Sequence, residues 1–361
     1  MKMFVAGPVN VSNAVKNSTV YDEIGHREPE FEKVYKSIKK SLKIVFGADD
    51  SYDSVVIGGS GTAGIETVLN SILRNNDKTI VISNGAFGER IADICLLHNK
   101  KILHVKQKWC EYPNIEYIEH LLKTGNGDYK NVIMVHMETS TGMLNPIHEI
   151  GMLCKQYDKT FIVDAVSSLG GEKLSMIDDN ISFCITNTNK CLGGLPVQSI
   201  VCYSKQKISN LIDIKPTSYY LDLFKYIKYG EENQTPFTPA IPLFYMLDTT
   251  LKELIKEGLK NRQFRYQENG LLLKQRLTSI GFDFQLEDNM SSLMVNLYIP
   301  KELTYDKLSK KLRALNYICY PYKKESKQDI IHIANIGTLD IDDVHLFCDH
   351  MEDILRDTIK S

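Results

Sequence analysis

Short apolar runs recur through the first half of the chain, each closing on a polar or glycine-rich turn. Val55-Val56-Ile57 runs into Gly58-Gly59-Ser60-Gly61-Thr62, after which Ile65, Val68, Leu69 and Ile72 share one helical face. Thr79-Ile80-Val81-Ile82 ends at Ser83-Asn84-Gly85-Ala86-Phe87-Gly88. Asn131-Val132-Ile133-Met134-Val135 leads to His136-Met137-Glu138-Thr139-Ser140-Thr141-Gly142, and residues 145–157 then read as a helix. Phe161-Ile162-Val163 ends at Asp164, and the run from Ile181 to Ile185 delivers Lys190 after four polar residues. Such runs, rich in β-branched residues, predict buried strands, and the helical spacing between them predicts βα units in an α/β fold with a mainly parallel sheet.

The rest of the pattern fills in around that sheet. Residues 1–15 read as an extended arm broken at Gly7-Pro8, with Val5, Val9 and Val11 free to pack on a neighbouring surface. Phe31, Val34, Tyr35, Ile38 and Leu42 predict an amphipathic helix over 28–47. Ser218–Leu223 and Gln234–Pro242 are aromatic and proline-broken, too irregular for a sheet. A long helix over roughly 243–278, interrupted near Gly258, leads to strands at 292–298, 317–321 and 329–333 alternating with helices at 304–315 and 340–358. The expected organisation is an N-terminal arm (1–15) packing with a small domain, a large domain (16–255), and a smaller C-terminal α/β domain (256–361).

Composition narrows the function classes. A chain of 361 residues is long enough for one large and one small domain. A formal net charge of −2 gives no electrostatic reason to expect nucleic acid or an anionic membrane surface. No run of 18 apolar residues occurs, and only a four-residue apolar stretch precedes Gly7-Pro8, so neither a membrane span nor a signal peptide is expected. Eight scattered cysteines without a CxxC pair read as free thiols in a reducing compartment, with no metal site; the expected location is the cytoplasm.

Candidate chemistry collects at the strand ends. A carboxylate such as Asp164 at the end of a buried strand is costly unless a cation or proton-bearing group faces it. Lys190, flanked by Asn189 and Gly193-Gly194, sits where an amine is desolvated and made nucleophilic. Ser60, Gly61 and Thr62 fall at a helix N-terminus, where free N–H groups, the dipole and two hydroxyls make a phosphate cradle. The spacing is not G-x-G-x-x-G, and no P-loop lysine follows. Phe87, in a loop between two glycines, is better placed to stack on a ring than to fill a core. Taken singly, these residues read as a turn cap, a surface charge, a tight turn and a loop anchor. Together, Ser60/Thr62, Phe87, Thr139 and Asp164 mark four strand ends suited to one flat, phosphorylated ligand, where open α/β sheets bind. A lysine with an acid about 25 residues before it suits pyridoxal phosphate: the lysine binds the aldehyde as a Schiff base and the acid keeps the pyridine nitrogen protonated.

The segments GGSGTAGIETVLN, SNGAFGER, HMETSTGMLNPIHEIG, FIVDAVSSLGG, TNKCLGGLP, SYYLDL, FTPAIP and IANIG, in this order, resemble the class V aminotransferases of pyridoxal-phosphate fold type I. Within that group the chain is most similar to 2-aminoethylphosphonate–pyruvate transaminases, and more distantly to alanine–glyoxylate aminotransferases. The resemblance implies a transaminase with amine and oxo-acid substrates. The alternative is another pair, such as alanine or serine with glyoxylate, or a phosphorylated amine. It further implies that Lys190 carries the cofactor and shuttles the proton, Asp164 pairs with the pyridinium, Phe87 stacks on the ring, Ser60, Gly61 and Thr62 hold the phosphate, and Thr139 bonds near the ring hydroxyl. Asn189 stands beside the lysine, and Thr238 matches a residue that reaches the phosphate from a partner chain, so a homodimer with shared sites is expected. Two departures stand out. His332 occupies the place of an arginine that binds the substrate acid group, and Gly25-His26-Arg27 is closer to phosphoserine aminotransferases, which makes Arg27 and His26 candidate anion ligands.

Overall fold

The computed structural model describes residues 1–125, 129–322 and 329–359. Its centre is a seven-stranded sheet in the order Tyr52–Gly58, Gln198–Ser204, Phe183–Asn187, Thr160–Asp164, Tyr129–Val135, Lys78–Ser83, Lys101–Lys106. Gln198–Ser204 runs antiparallel to both neighbours; the other pairings are parallel. The period-2 alternation of each strand feeds two apolar faces. Val56, Ile80, Met134, Val163 and Ile200 join one buried cluster, and Val55, Val81, Ile133, Ile162 and Val201 the other.

The second face is covered by the helices Gly61–Ile72 and Ala86–Leu97, through Ile65, Val68, Leu69, Ile91 and Cys95. The first is covered by Pro29–Val45, Ile115–Thr124, Ile147–Gln156 and Ile241–Glu257, through Phe31, Ile38, Ile118, Ile150 and Leu251. The helix expected over 243–278 is two helices, Ile241–Glu257 and Leu259–Ser279, broken at Gly258, whose φ of +88° suits glycine. The latter packs with Tyr305–Ala314 and Ile341–Ile359 around an antiparallel three-stranded sheet ordered Met294–Tyr298, Ile330–Ala334, Tyr320–Tyr322.

Some local expectations change. The N-terminal stretch is extended only at its start. Lys2–Met3 pairs in parallel with Tyr317–Ile318, Phe4 stacks on Phe347 at 4.1 Å, and a short helix, Asn13–Asn17, begins where Ser12 accepts the Val15 N–H. The irregular stretch after residue 204 holds a helix, Leu223–Glu231, started by Asp222 accepting the Lys225 N–H. Phe87 is not in a loop: it lies in the first turn of Ala86–Leu97, because Gly85 leaves the N-cap position to groups from elsewhere in the fold. All eight cysteines are free thiols.

Candidate active site

The C-terminal ends of the parallel strands and the N-terminal end of Gln198–Ser204 meet at one edge of the sheet. Asp164 ends its strand there, with one carboxylate oxygen accepting the Val166 N–H at 2.9 Å. Burial pushes its pKa up to about 6, against the pull of that hydrogen bond and of Lys190. The chain leaves Phe183–Asn187, turns through Thr188-Asn189, and presents Lys190. Its amine donates to the Ser167 hydroxyl at 3.0 Å and lies 5.7 Å from the centroid of the Phe87 ring. Burial lowers the lysine pKa, and the Asp164 charge acts in the opposite sense. Ser167 is in turn hydrogen-bonded to the Thr139 hydroxyl. The missing side chain of Gly7 leaves room for the lysine stem, since a Cβ there would lie 3.1 Å from Lys190 Cγ.

The glycine-rich turn is held from below. Gly59 donates its N–H to the Val197 carbonyl at 3.0 Å, and Asn187 donates its side-chain amide to the Gly59 carbonyl at 3.3 Å. Val197 adopts a φ of +80°, a costly conformation for a β-branched residue. Ser60 takes the N-cap position of Gly61–Ile72 with an extended backbone and makes no side-chain cap bond, so its hydroxyl is left for a ligand. Gly64 lets this helix lie close on the sheet: a Cβ there would stand 2.0 Å from Ser199 Oγ. Arg90 bridges the two walls, placing its guanidinium 4.8 Å from the Phe87 centroid and donating to the Thr62 hydroxyl at 3.4 Å.

Lys190, Asp164, Phe87 and Thr139 are therefore brought together, with Ser60, Gly61 and Thr62 opposite. His332 lies on Ile330–Ala334, where burial and then the nearby Lys190 charge push its pKa down to about 4. It is a neutral imidazole at neutral pH, without the charge an acid group would meet on arginine. Asn189 contributes mainly backbone, with its N–H donated to Asn187 Oδ1 at 3.3 Å. Arg27 contacts another region: it donates to Gln234 Oε1 at 3.1 Å and to the Thr235 carbonyl at 2.8 Å, and sits over the Tyr229 ring. His26 adjoins it, with its pKa lowered by burial and then by Arg27. Thr238 lines a cavity of about 290 Å³ with Tyr220, Tyr226, Phe237 and Gln198.

Sequence reasoning missed four residues here: Ser167, Arg90, Val197 and Glu138. Ser167 and Arg90 stand inside FIVDAVSSLGG and SNGAFGER, three residues beyond the assigned Asp164 and Phe87, on the same turn. Val197 carried no local signal. Glu138 lay in a run noted for its hydroxyls, where a lone acid followed by hydroxyl residues was the available hint.

An amine kept from solvent, a carboxylate at a strand end, a ring face and an unused hydroxyl at a helix N-terminus fit a pyridine aldehyde phosphate, and define a fold-type-I pyridoxal-phosphate enzyme. Comparison with known proteins carries this further. The class-V aminotransferase family model matches residues 11–296. A 2-aminoethylphosphonate–pyruvate transaminase of Lysinibacillus sphaericus is 30% identical over 98% of this chain and 97% of its own length. The bifunctional phosphonoacetaldehyde hydrolase/aminoethylphosphonate transaminase of Clostridioides difficile is 32% identical over 98% of this chain, which spans 56% of that longer protein. Among solved structures, an alanine–glyoxylate aminotransferase from Nostoc sp. superposes with a TM-score of 0.90 at 25% identity, covering 98% of this chain and 94% of the other. The chain belongs to the class-V aminotransferases: it is a pyridoxal-phosphate-dependent transaminase. No helix among the described residues is long and apolar enough to cross a membrane.

Proposed function

We propose that this enzyme moves the amino group of 2-aminoethylphosphonate to pyruvate, giving phosphonoacetaldehyde and alanine. The observation that carries the chemistry is the Lys190 amine, desolvated, held by Ser167 and facing Asp164 and Phe87. The names of the near-full-length relatives carry the substrate pair.

The bound pyridoxal phosphate supplies the electron sink that acidifies the substrate Cα–H and stores the amino group between the two half-reactions. Lys190 would hold the aldehyde end of the cofactor, and its lowered pKa favours the neutral amine needed for that. The same amine, tethered by Ser167, would serve as the base for the substrate Cα proton. Asp164 keeps a proton on the ring nitrogen, Phe87 covers one ring face, and Thr139 serves the ring hydroxyl. Ser60, Gly61 and Thr62 hold the phosphate, with Asn189 beside the lysine. With His332 neutral, Arg90 is the cation on the spot for an acid group. Arg27 docks on the Thr235 carbonyl, close in sequence to Thr238, which supports the reading that Arg27, with His26 beside it, binds a substrate acid group while Thr238 reaches the phosphate of a partner's site in a homodimer; the enzyme is placed in the cytoplasm.

The test is a half-reaction without acceptor. Loaded enzyme mixed with 2-aminoethylphosphonate should lose the visible band of the lysine-bound cofactor, and alanine should do the same by running the second half-reaction backwards, while serine and phosphoserine act slowly or not at all. His332 in the place of arginine favours one other reading, alanine or serine with glyoxylate or a phosphorylated amine. Band loss with one of those donors, and none with 2-aminoethylphosphonate, would replace the phosphonate assignment.

A further inference from the structure

The first turn of Ala86–Leu97 carries both Phe87 and Arg90, and it has no cap of its own: Gly85 at the N-cap position offers no side chain. The cap comes from Glu138, 50 residues away in sequence and fully buried. One of its oxygens accepts the Gly88 N–H at 3.0 Å and the Phe87 N–H at 3.2 Å. The other accepts the Ser140 hydroxyl at 2.5 Å and the Ser140 N–H at 3.2 Å. Ser140 Oγ completes the set by accepting the Ala86 N–H at 2.9 Å. The approach is so close that a Cβ on Gly85 would lie 2.4 Å from Glu138 Cγ and 2.5 Å from Ser140 Oγ.

Every group hydrogen-bonded to the carboxylate is a donor. A proton on either oxygen would point at an N–H or displace the Ser140 hydroxyl hydrogen, so the geometry accommodates the anion. Burial raises its pKa, and the four donors act against that rise. Thr139, between the two bonded residues, reaches Ser167 and through it the lysine.

We propose that Glu138 is a positioning residue for the transamination site: its buried carboxylate locks the helix turn bearing Phe87 to the Thr139 turn, and so fixes the ring face and the Thr139–Ser167–Lys190 chain relative to each other. This rests on the reading of Phe87 as the residue covering the cofactor ring.

The test compares Glu138→Gln, Glu138→Asp, Gly85→Ala and Phe87→Ala in the full-length enzyme. An amide in place of the carboxylate turns its NH₂ against either the Gly88 and Phe87 N–H groups or the Ser140 N–H. Glu138→Gln should weaken cofactor binding by about tenfold or more, measured by titrating cofactor-free protein. It should also diminish the circular dichroism of the bound cofactor's visible band, and lower kcat with little change in donor KM. Glu138→Asp should recover part of each loss. Gly85→Ala, which crowds the carboxylate without removing it, should reproduce the spectroscopic change, and it decides the matter if Glu138→Gln does not fold. Wild-type affinity and dichroism in Glu138→Gln, or in Gly85→Ala if only that variant folds, overturn the proposal when Phe87→Ala is impaired. If Phe87→Ala itself has wild-type dichroism, the reading of Phe87 fails, and this role for Glu138 with it.

Discussion

The Lys190 amine donates to the Ser167 hydroxyl across 3.0 Å, and that hydroxyl is shared with Thr139. Three turns that follow three different strands thus converge on one hydrogen-bonded chain that ends at the reactive nitrogen. Ser167→Ala removes the central link without touching charge. Cofactor should still bind, while kcat falls by roughly tenfold because the amine loses its fixed direction. Donor KM should stay near wild type. An unchanged kcat in steady-state assays would show that the lysine needs no such tether.

Asp164 predicts a pH effect in the cofactor-free protein. Its folded-state pKa is raised from 3.8 to about 6, so the folded chain holds a proton there more tightly than the unfolded chain does. The associated stability is present below about pH 4 and is lost as pH rises through 6. The difference of roughly two pH units is worth about 3 kcal/mol at most. Cofactor-free Asp164→Asn should lack this slope in urea unfolding between pH 4 and 7, and its loaded form should turn over very slowly. A wild-type slope in the variant would place the titration elsewhere.

His332 predicts a gain. Placing arginine at this buried strand position would put a permanent charge near Lys190, where a neutral imidazole stands. His332→Arg should lower KM for pyruvate several-fold, provided that its melting temperature shows the larger side chain to be tolerated. A folded variant with unchanged KM would mean that the acid group is held by other residues, Arg90 first among them.

Gly64→Ala tests the floor of the phosphate cradle. The added methyl would meet Ser199 Oγ at 2.0 Å and Ile185 Cγ2 at 2.9 Å, forcing the Gly61–Ile72 helix off the sheet. Stability in urea should drop by about 2 kcal/mol, and cofactor should bind more weakly because Ser60 and Thr62 move with the helix. Adding Ser199→Ala should recover part of both.

The repeated strands, the glycine-rich turn and the helices that follow were legible in the sequence, because each is specified by residues close together in the chain. Helix 28–47, observed as Pro29–Val45, and the break at Gly258 are examples. Asp164 and Lys190 were legible for the same reason: Asp164 stands directly after a short apolar run and Lys190 four polar residues after another, and a strand end has a known place in an α/β fold. The roles of Phe87 and Glu138 were harder to read. Phe87 looked like a loop residue because it is flanked by glycines and the residue at the N-cap position, Gly85, has no side chain, while the carboxylate that caps the turn comes from 50 residues away.

What the sequence determined by itself was five of the seven strands of the central sheet, the edge where they end and the acid and lysine placed there, since period-2 burial and turn chemistry act over a few residues; Lys101–Lys106 and Gln198–Ser204 were not read from it. Only the tertiary structure decided the order of the strands, which seats the Gly58–Thr62 turn beside Gln198–Ser204 rather than beside its successor in the chain. It also decided the capping of one helix by the carboxylate of a distant turn, the neutral state imposed on His332 by burial, and the docking of Arg27 on Gln234 and Thr235. These depend on which surfaces meet and how much water leaves between them, quantities that no window of neighbouring residues contains.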